Sequence, residues 1–508
     1  MQDGLNIAST DNSRVRTVRA SVFILLTLFL VFSILSQLLY SFSPTFSILT
    51  FVLSIAVVLI EVVIGTRNEM FIFLYFTTAM RILMPFTNQK EVDLILPTLF
   101  FVVGALRFSP KFAHIRRGYF HPLFCLIGLF FLICLITVFY GIKVPGINST
   151  GTNSGLLSRF NLLNSVITFS ATLILFDTDF INRWLRYFFR FYLGVFMISL
   201  VIVLFDIKPF PLFNSFTWSN VVENEGSKKM IIAGISALSV LIYTLLFVKR
   251  PLQLLLLIAL SLVGMLLSGS RISFVAGVAM IAVTALARRR ILGKSFVVLA
   301  VMMIVVTRLL LSPLILMVPE RYQRLVVIFP PSYYKGELAE FASSAAATST
   351  SFRFDLWTRA GKKIGEHPLL GNGYRAPLVK YDFSGASLEM YRKVPTERLH
   401  NDFVLTGNLH NTFISTAYAL GIPAAILFGI FLFSLTVSHY QKSLVLTGPL
   451  RTISLFITVM LINYIIFALV SDLIFELEFF AFLAIALKVL VFHYKRPTNV
   501  LIPNKNSV

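Results

Sequence analysis

The residues best suited to chemistry stand at the start of an apolar run, in the stretch "NLHNTFISTAYALGIP" over 408–423. His410 opens this run, where an imidazole can act as a general base, bind a metal ion or simply lie at a membrane interface. His400 lies ten residues upstream, without a metal-ligand spacing. The spacing therefore favours base chemistry over metal binding, while an interfacial residue is the simpler alternative to both.

Arginines accompany this histidine at other apolar boundaries. Arg271 lies in "SGSR" between two apolar runs, and Arg81 and Arg308 lie inside such runs. A buried arginine in a membrane protein is costly and marks a functional candidate, although it can also reach the interface with its long side chain. Arginine binds phosphate oxygens through paired hydrogen bonds. Arginines beside a histidine indicate displacement of a phosphate leaving group, with the histidine accepting a hydroxyl proton.

The composition predicts that membrane helices position these residues. Hydrophobic residues make up 57% of the 508 residues and charged residues only 13%, against about 25% charged in a typical soluble domain. Apolar runs of about 20 residues recur, each long enough to cross a bilayer. The net charge of +21 is spread between these runs, which is typical of membrane topology and argues against a nucleic-acid partner.

The sequence predicts an all-α, polytopic membrane protein with about 12–14 transmembrane helices and one large extracytoplasmic loop. The positive-inside bias of the short loops predicts that both termini are cytoplasmic. Three parts follow, which are transmembrane helices over 1–318, the outer loop over 319–410 and further transmembrane helices over 411–508. The run over 411–436 is expected to be one span, with His410 at its outer end.

Two pieces of the outer loop are predicted to be helical, over 352–365 and, more weakly, over 386–394. In the first, Phe354, Leu356, Trp357 and Ile364 are expected to form one apolar stripe, with Arg353 and the other cations on other faces. The segment "EHPLLGNGYR" that follows has Pro368, Gly371 and Gly373 as turn residues. A basic, amphipathic loop suits an anionic lipid-linked ligand, and a solvated face is the alternative.

An acidic motif, "DTD" over 177–179, offers a competing site on the predicted cytoplasmic side. It resembles the carboxylate pair that holds a metal in many nucleotide-sugar transferases. It also stands directly before the predicted helix that begins in "FINRWLR", and aspartate is a preferred helix N-cap. A cap is therefore the simpler interpretation.

Three segments in order resemble the O-antigen ligase and O-antigen polymerase superfamily over roughly 255–435. They are "SGSRISFVAGVAMI", "RFDLWTRAGKKIGEHPLLGNGYR" and "HNTFISTAYALGIPAAILF". The resemblance implies a multi-helix glycosyltransferase at the outer face of a bacterial inner membrane. It implies a polyprenyl-diphosphate-linked glycan donor and a reaction that needs no metal or other cofactor.

The same resemblance assigns roles to residues of this chain. It implies that His410, Arg271 and Arg353 are catalytic. The candidates for substrate binding are Asn411, Tyr374, Arg375, Arg308 and His400. The chain departs from the family pattern in a second His-Asn pair at His400, which is therefore an alternative base, and in having Ala419 and Leu420 where a glutamate often precedes the helix glycine.

The function expected from these residues is inverting glycosyl transfer to a glycan or lipid-linked acceptor. A surface-polysaccharide polymerase is favoured, because the additional apolar runs and the "HPLLGNGYR" turn look more like a polymerase. The alternatives are an O-antigen ligase that transfers to a lipid A core and a lipid-linked oligosaccharide transporter. Membrane lipids and the polysaccharide-export machinery are the other expected partners.

Overall fold

A computed structural model of the chain describes residues 55–61, 65–80, 101–108, 121–140, 154–204, 227–267, 271–287, 352–372, 409–470 and 477–494, with a few residues elsewhere. Regular secondary structure in these ranges is helical, and they contain no strand. The predicted all-α class is confirmed for this part of the chain.

The helices named here follow in chain order. They are α1 (Arg67–Met80), α2 (Pro122–Tyr140), α3 (Ser154–Leu175), α4 (Ile181–Leu204), α5 (Ser227–Phe247), α6 (Pro251–Leu267), α7 (Arg271–Ala287), α8 (Phe352–Glu366), α9 (Thr412–Leu420), α10 (Ile422–Val445), α11 (Gly448–Ala468) and α12 (Leu477–Lys488). A 3-10 turn (Thr178–Phe180) precedes α4, and a π-helical turn (Val489–His493) follows α12. The apolar runs of the sequence in this interval, over 121–140, 161–177, 184–205, 230–248, 251–268 and 272–287, all coincide with helices.

Two of these helices, α10 and α11, are long and apolar enough to cross a membrane. Shorter apolar stretches lie in α2, α3, α5, α6 and α7. Along α10, large apolar side chains are exposed at Ile422, Ile426, Ile430 and Phe433. An apolar stripe of this length fits lipid better than water. The predicted total of 12–14 spans, their orientation and the three-part division go beyond these observations and stay predictions.

Aromatic side chains fill the space between the helices. Trp184 of α4 is fully buried. Its ring lies 5.7 Å from Tyr75 of α1, 6.5 Å from Phe456 of α11 and 6.2 Å from Phe482 of α12, centroid to centroid. Aromatic pairs at such distances add to the apolar area that each ring buries. This cluster joins α1 and α4 to α11 and α12.

The C-terminal end of α3 is closed by two cations from distant parts of the chain. Arg67 donates from Nη2 to the carbonyls of Ile174 and Phe176, at 2.5 and 3.2 Å. Lys488, buried in α12, donates from Nζ to the carbonyls of Leu173 and Phe176. The last carbonyls of a helix lack intrahelical partners and carry partial negative charge, so both cations stabilise this end.

The "DTD" motif follows immediately and is a helix cap, as the simpler interpretation predicted. The carboxylate of Asp177 accepts a hydrogen bond from the backbone N–H of Asp179 at 3.2 Å. The capped 3-10 turn leads directly into α4. An N-cap aspartate satisfies an otherwise unpaired N–H, so this motif needs no metal to explain it.

The expectation of one continuous helix over 411–436 is wrong. The chain breaks at Gly421, whose φ is 92°, and Pro423 stands in the first turn of α10. The ring of Phe413 lies 3.7 Å from the point that a Cβ on Gly429 would occupy. A straight helix would separate these residues by about 24 Å. The helix α9 therefore folds back on α10, with Gly421 at the corner.

Candidate active site at the start of α9

The helix α8 packs against α9 and runs in the same direction. Near its N-terminal end, the indole N–H of Trp357 donates to the carbonyl of Leu409 at 2.8 Å. Beyond its C-terminal end, the N–H of Ile422 donates to the carbonyl of Pro368 at 2.8 Å. Because the order 357 to 368 matches the order 409 to 422, the two helices are parallel. Both therefore begin close to His410.

The predicted helix over 352–365 is confirmed, but its predicted apolar stripe is only partly correct. Leu356 and Ala360 are fully buried against α9, with Ile364 partly buried beside them. Phe354 is 59% exposed and lies off this face. The two fully buried positions are four residues apart, a spacing that places their side chains on one side of the helix.

Arg353 lies on the packed side of α8, and the expectation that it occupies another face is wrong. It stands three residues before Leu356, at the spacing that shares a helix face, and it is half-buried. The positive charge of Arg353 lowers the pKa of His410, which places the guanidinium in the electrostatic environment of that ring. The structure thus brings together two of the three residues predicted to be catalytic.

His410 occupies a backbone conformation that few non-glycine residues adopt. Its φ is 52°, in the left-handed region, which costs on the order of 1–3 kcal/mol and persists only where neighbouring contacts enforce it. Those contacts come from both sides. Trp357 holds the carbonyl of Leu409, and the side-chain amide of Asn411 donates to the carbonyl of Leu469 at 3.0 Å.

Asn411 is also the N-cap of α9. Its side-chain oxygen accepts from the backbone N–H groups of Phe413 and Ile414, at 3.0 and 3.1 Å. One amide side chain therefore starts α9 and fastens it to the C-terminal end of α11. The substrate-binding role suggested for Asn411 stays a prediction beside this structural one.

The surroundings of His410 keep its ring neutral at neutral pH. Burial and, after it, the positive charge of Arg353 lower the pKa of His410 to about 4. Burial also lowers the pKa of Arg353. A neutral imidazole has one nitrogen that can accept a proton. The N-terminal ends of α8 and α9 add partial positive charge, so the site combines a proton acceptor with a field that attracts anions.

A tight turn after α8 packs against the corner between α9 and α10. Gly371 has φ 69°, and a Cβ there would lie 2.5 Å from the carbonyl carbon of Ala419. A Cβ on Gly421 would overlap the carbonyl oxygen of Leu369. The N–H of Asn372 donates to the carbonyl of Tyr418 at 2.7 Å. The two glycines let the backbones touch, and this confirms the predicted turn at Pro368 and Gly371.

The remaining predicted residues fall into two groups. Arg271 is the first residue of α7, and α7 packs on α11, the helix to which Asn411 is fastened. Arg308, Tyr374, Arg375 and His400 lie outside the described residues, as do Gly373 and the weaker helix over 386–394. Their suggested roles stay predictions.

Comparison with known families adds a finding that does not depend on this geometry. Residues 255–429, which are 175 of the 508 residues, match the family model described as O-Antigen ligase. The match supports the predicted resemblance to the O-antigen ligase and polymerase superfamily over this part of the chain. The matched region takes in Arg271, Arg353 and His410. No curated protein was found to match the chain.

The predicted resemblance is thereby confirmed for residues 255–429. The superfamily consists of bacterial membrane proteins of surface-polysaccharide biosynthesis, and its activity is of the O-antigen ligase or polymerase type, on lipid-linked glycans. The described α7, α8 and α9 lie wholly inside the matched region. The residues around His410 that these helices position therefore lie within the part of the chain that matches the family.

Proposed function

We propose that this protein is a surface-polysaccharide polymerase that transfers a glycan from a polyprenyl-diphosphate carrier to a glycan acceptor, with inversion at the anomeric carbon. The reaction takes place at the outer face of the bacterial inner membrane. The observation that carries this proposal is the pairing of His410, whose imidazole is neutral, with Arg353 at the start of two parallel helices.

In the proposed reaction, His410 is the general base. Its unprotonated ring nitrogen takes the proton from the acceptor hydroxyl as that oxygen attacks the anomeric carbon. A new carbon–oxygen glycosidic bond forms, and the bond from the anomeric carbon to the diphosphate oxygen breaks on the opposite face. The diphosphate leaves with the bonding electron pair, and the proton stays on His410 until solvent accepts it.

The arginines and the helix ends stabilise the leaving group. A diphosphate has weakly basic oxygens, so its departure depends on charge neutralisation more than on a strong acid. Arg353 and Arg271 would bind these oxygens, and the N-terminal ends of α8 and α9 face the same charge. This division of labour needs no pair of carboxylates of the glycosidase type.

The folded-back arrangement of α9 suits a substrate that is half lipid and half sugar. Because α9 turns back along the apolar helix α10, His410 lies beside the bundle instead of at the tip of a loop. The polyprenyl tail can stay in the bilayer while its diphosphate reaches Arg353. This supports a membrane-bound donor over a soluble nucleotide sugar.

Polymerase and ligase differ in the acceptor, and the family includes both activities. The test is a His410→Asn variant expressed in the native host, with the surface glycan resolved on a gel and the lipid-linked pool analysed beside it. Asparagine is preferred to alanine because it tolerates the left-handed backbone of residue 410. Loss of long chains, with single repeats still on the final acceptor, is the result expected of a polymerase.

The other outcomes separate the alternatives. Long chains that accumulate on the polyprenyl diphosphate would identify a ligase. An unchanged glycan profile would remove His410 from the mechanism and move attention to His400. Labelled donor converted to product by purified protein in detergent would exclude a transporter.

A further inference from the structure

Two adjacent leucines stand exposed in the turn that follows α8. Leu369 is 70% exposed and Leu370 is 40% exposed, although both lie in a turn that is hydrogen-bonded to the start of α10. Large apolar side chains that remain exposed on a well-packed segment commonly mark a surface that another phase or molecule covers. The glycosyl transfer proposed for His410 makes no use of them.

This turn lies against the first residue of the exposed stripe of α10. The N–H of Ile422 donates to the carbonyl of Pro368 at 2.8 Å. Gly421 approaches the backbone of Leu369 so closely that a Cβ could not be added. Ile422 is 41% exposed, and the stripe continues through Ile426 at 53%. The two leucines therefore extend an apolar surface that begins on a helix able to cross the membrane.

The polar residues next to the turn suit the headgroup region. Lys362 is exposed on the last turns of α8, and Lys363 forms an exposed ion pair with Glu366 at 2.8 Å. Lysine side chains beside an apolar patch can cover it with their methylenes while the ammonium contacts lipid phosphates. The apolar leucines of the turn suit the acyl chains of one leaflet, and the charged residues beside them suit its headgroups.

We propose that the turn over 368–371 inserts into the outer leaflet and that bulk phospholipid covers Leu369 and Leu370. Because the turn contacts the backbone at Gly421, it would fix the depth of α8 in the bilayer, and with it the depth of Arg353. This inference depends on membrane insertion of α10 and not on the chemistry assigned to His410. It therefore stands or falls separately from the proposed function.

The test measures the depth of single labels on the full-length protein in lipid nanodiscs. Cys125 and Cys134 are replaced by serine, and an environment-sensitive fluorophore is attached to Leu369→Cys. The matched control is Glu366→Cys, which is exposed and one turn away. Emission is quenched separately by doxyl-labelled phospholipid and by aqueous iodide, and a His410→Asn background repeats the comparison without the proposed base.

We expect the label at 369 to be blue-shifted and quenched by doxyl lipid, and the label at 366 to be quenched by iodide. The same pattern is expected in the His410→Asn background. Iodide quenching at 369 equal to that at 366 would overturn the proposal in favour of a solvated turn. Protection of 369 from both quenchers would overturn it in favour of a protein partner or a second copy of the chain.

Discussion

Two of the helix ends that carry basic side chains in the described part of the chain differ in polarity. At the C-terminal end of α3, Arg67 and Lys488 donate to main-chain carbonyls. At the N-terminal ends of α8 and α9, Arg353 stands beside His410. The partial charge of a helix end is negative in the first case and positive in the second.

This difference separates a structural role from a functional one. The carbonyls of residues 173–176 supply the negative partners of Arg67 and Lys488, so those cations complete the fold. A cation beside two helix N-termini gains nothing from the helix dipoles and is stabilised when an anion arrives. The comparison therefore predicts which arginines can be lost without affecting catalysis and which cannot.

The largest expected effect follows removal of the base. His410→Asn should lower the rate of glycan transfer by about 10²–10⁴-fold, which is the usual contribution of a general base. Thermal unfolding of the variant should change little, because asparagine accepts the left-handed backbone at this position. The measurement is transfer from labelled lipid-linked donor by purified protein. A variant with wild-type transfer would disprove the assigned role.

Substitution at the corner should chiefly affect stability. Gly421→Ala places a Cβ against the carbonyl of Leu369, and we expect a loss of about 3 kcal/mol from overlap and the positive φ. Gly361→Ala is the control, since nothing lies within 4 Å of its Cβ. That helical change should stabilise by about 0.5–1 kcal/mol. Equal unfolding midpoints for both variants would mean that the close contact between the 368–371 turn and Gly421 does not stabilise the fold.

The pH dependence tests the environment of His410. Burial and Arg353 lower its pKa to about 4, so the base is unprotonated above that value. The second-order rate constant kcat/KM should stay level as pH falls from 8 towards 5, and then fall as protonation begins near 4. Arg353→Gln should move this inflection to higher pH. An inflection at the ordinary histidine pKa of about 6.5 in the unmodified protein would contradict the proposed surroundings.

The smallest effect concerns the backbone beside the base. Trp357→Phe removes the hydrogen bond to the carbonyl of Leu409 while keeping an aromatic ring. We expect a loss of about 1 kcal/mol in stability and a modest fall in transfer. Lys362→Ala, at an exposed position of the same helix, serves as the control and should change neither quantity measurably. If both variants behave alike, the indole N–H has no positioning role.

Some of this architecture could be predicted from the sequence, because long apolar runs determine helices directly. The helix over 352–365 and the turn at Pro368 and Gly371 were predicted from periodicity and turn residues. The corner at Gly421 was missed, since apolarity is equal on both of its sides. Glycine followed two residues later by proline is a break signal that could have identified it.

Side-chain roles were harder to predict, because they depend on which surface a neighbour covers. The buried face of α8 depends on α9, which is distant in sequence, so Phe354 and Arg353 were each assigned to the wrong side. Lys488 was overlooked inside an apolar run, where a lone charge is itself a signal. Its partners are the backbone carbonyls of Leu173 and Phe176. They lie more than 300 residues away in the sequence, so no local sequence pattern predicts them.

The most direct test of the contrast between the two helix ends is a crossed measurement on two matched variants, Arg353→Gln and Arg67→Gln. Thermal stability and transfer per folded molecule are measured for each. We predict that Arg353→Gln keeps its unfolding temperature and loses about 10²–10³-fold in transfer, as for removal of a group that stabilises developing charge. Arg67→Gln should lose about 1.5–3 kcal/mol of stability and keep its transfer rate. The reverse pattern, or equal losses in both quantities for both variants, would contradict the account.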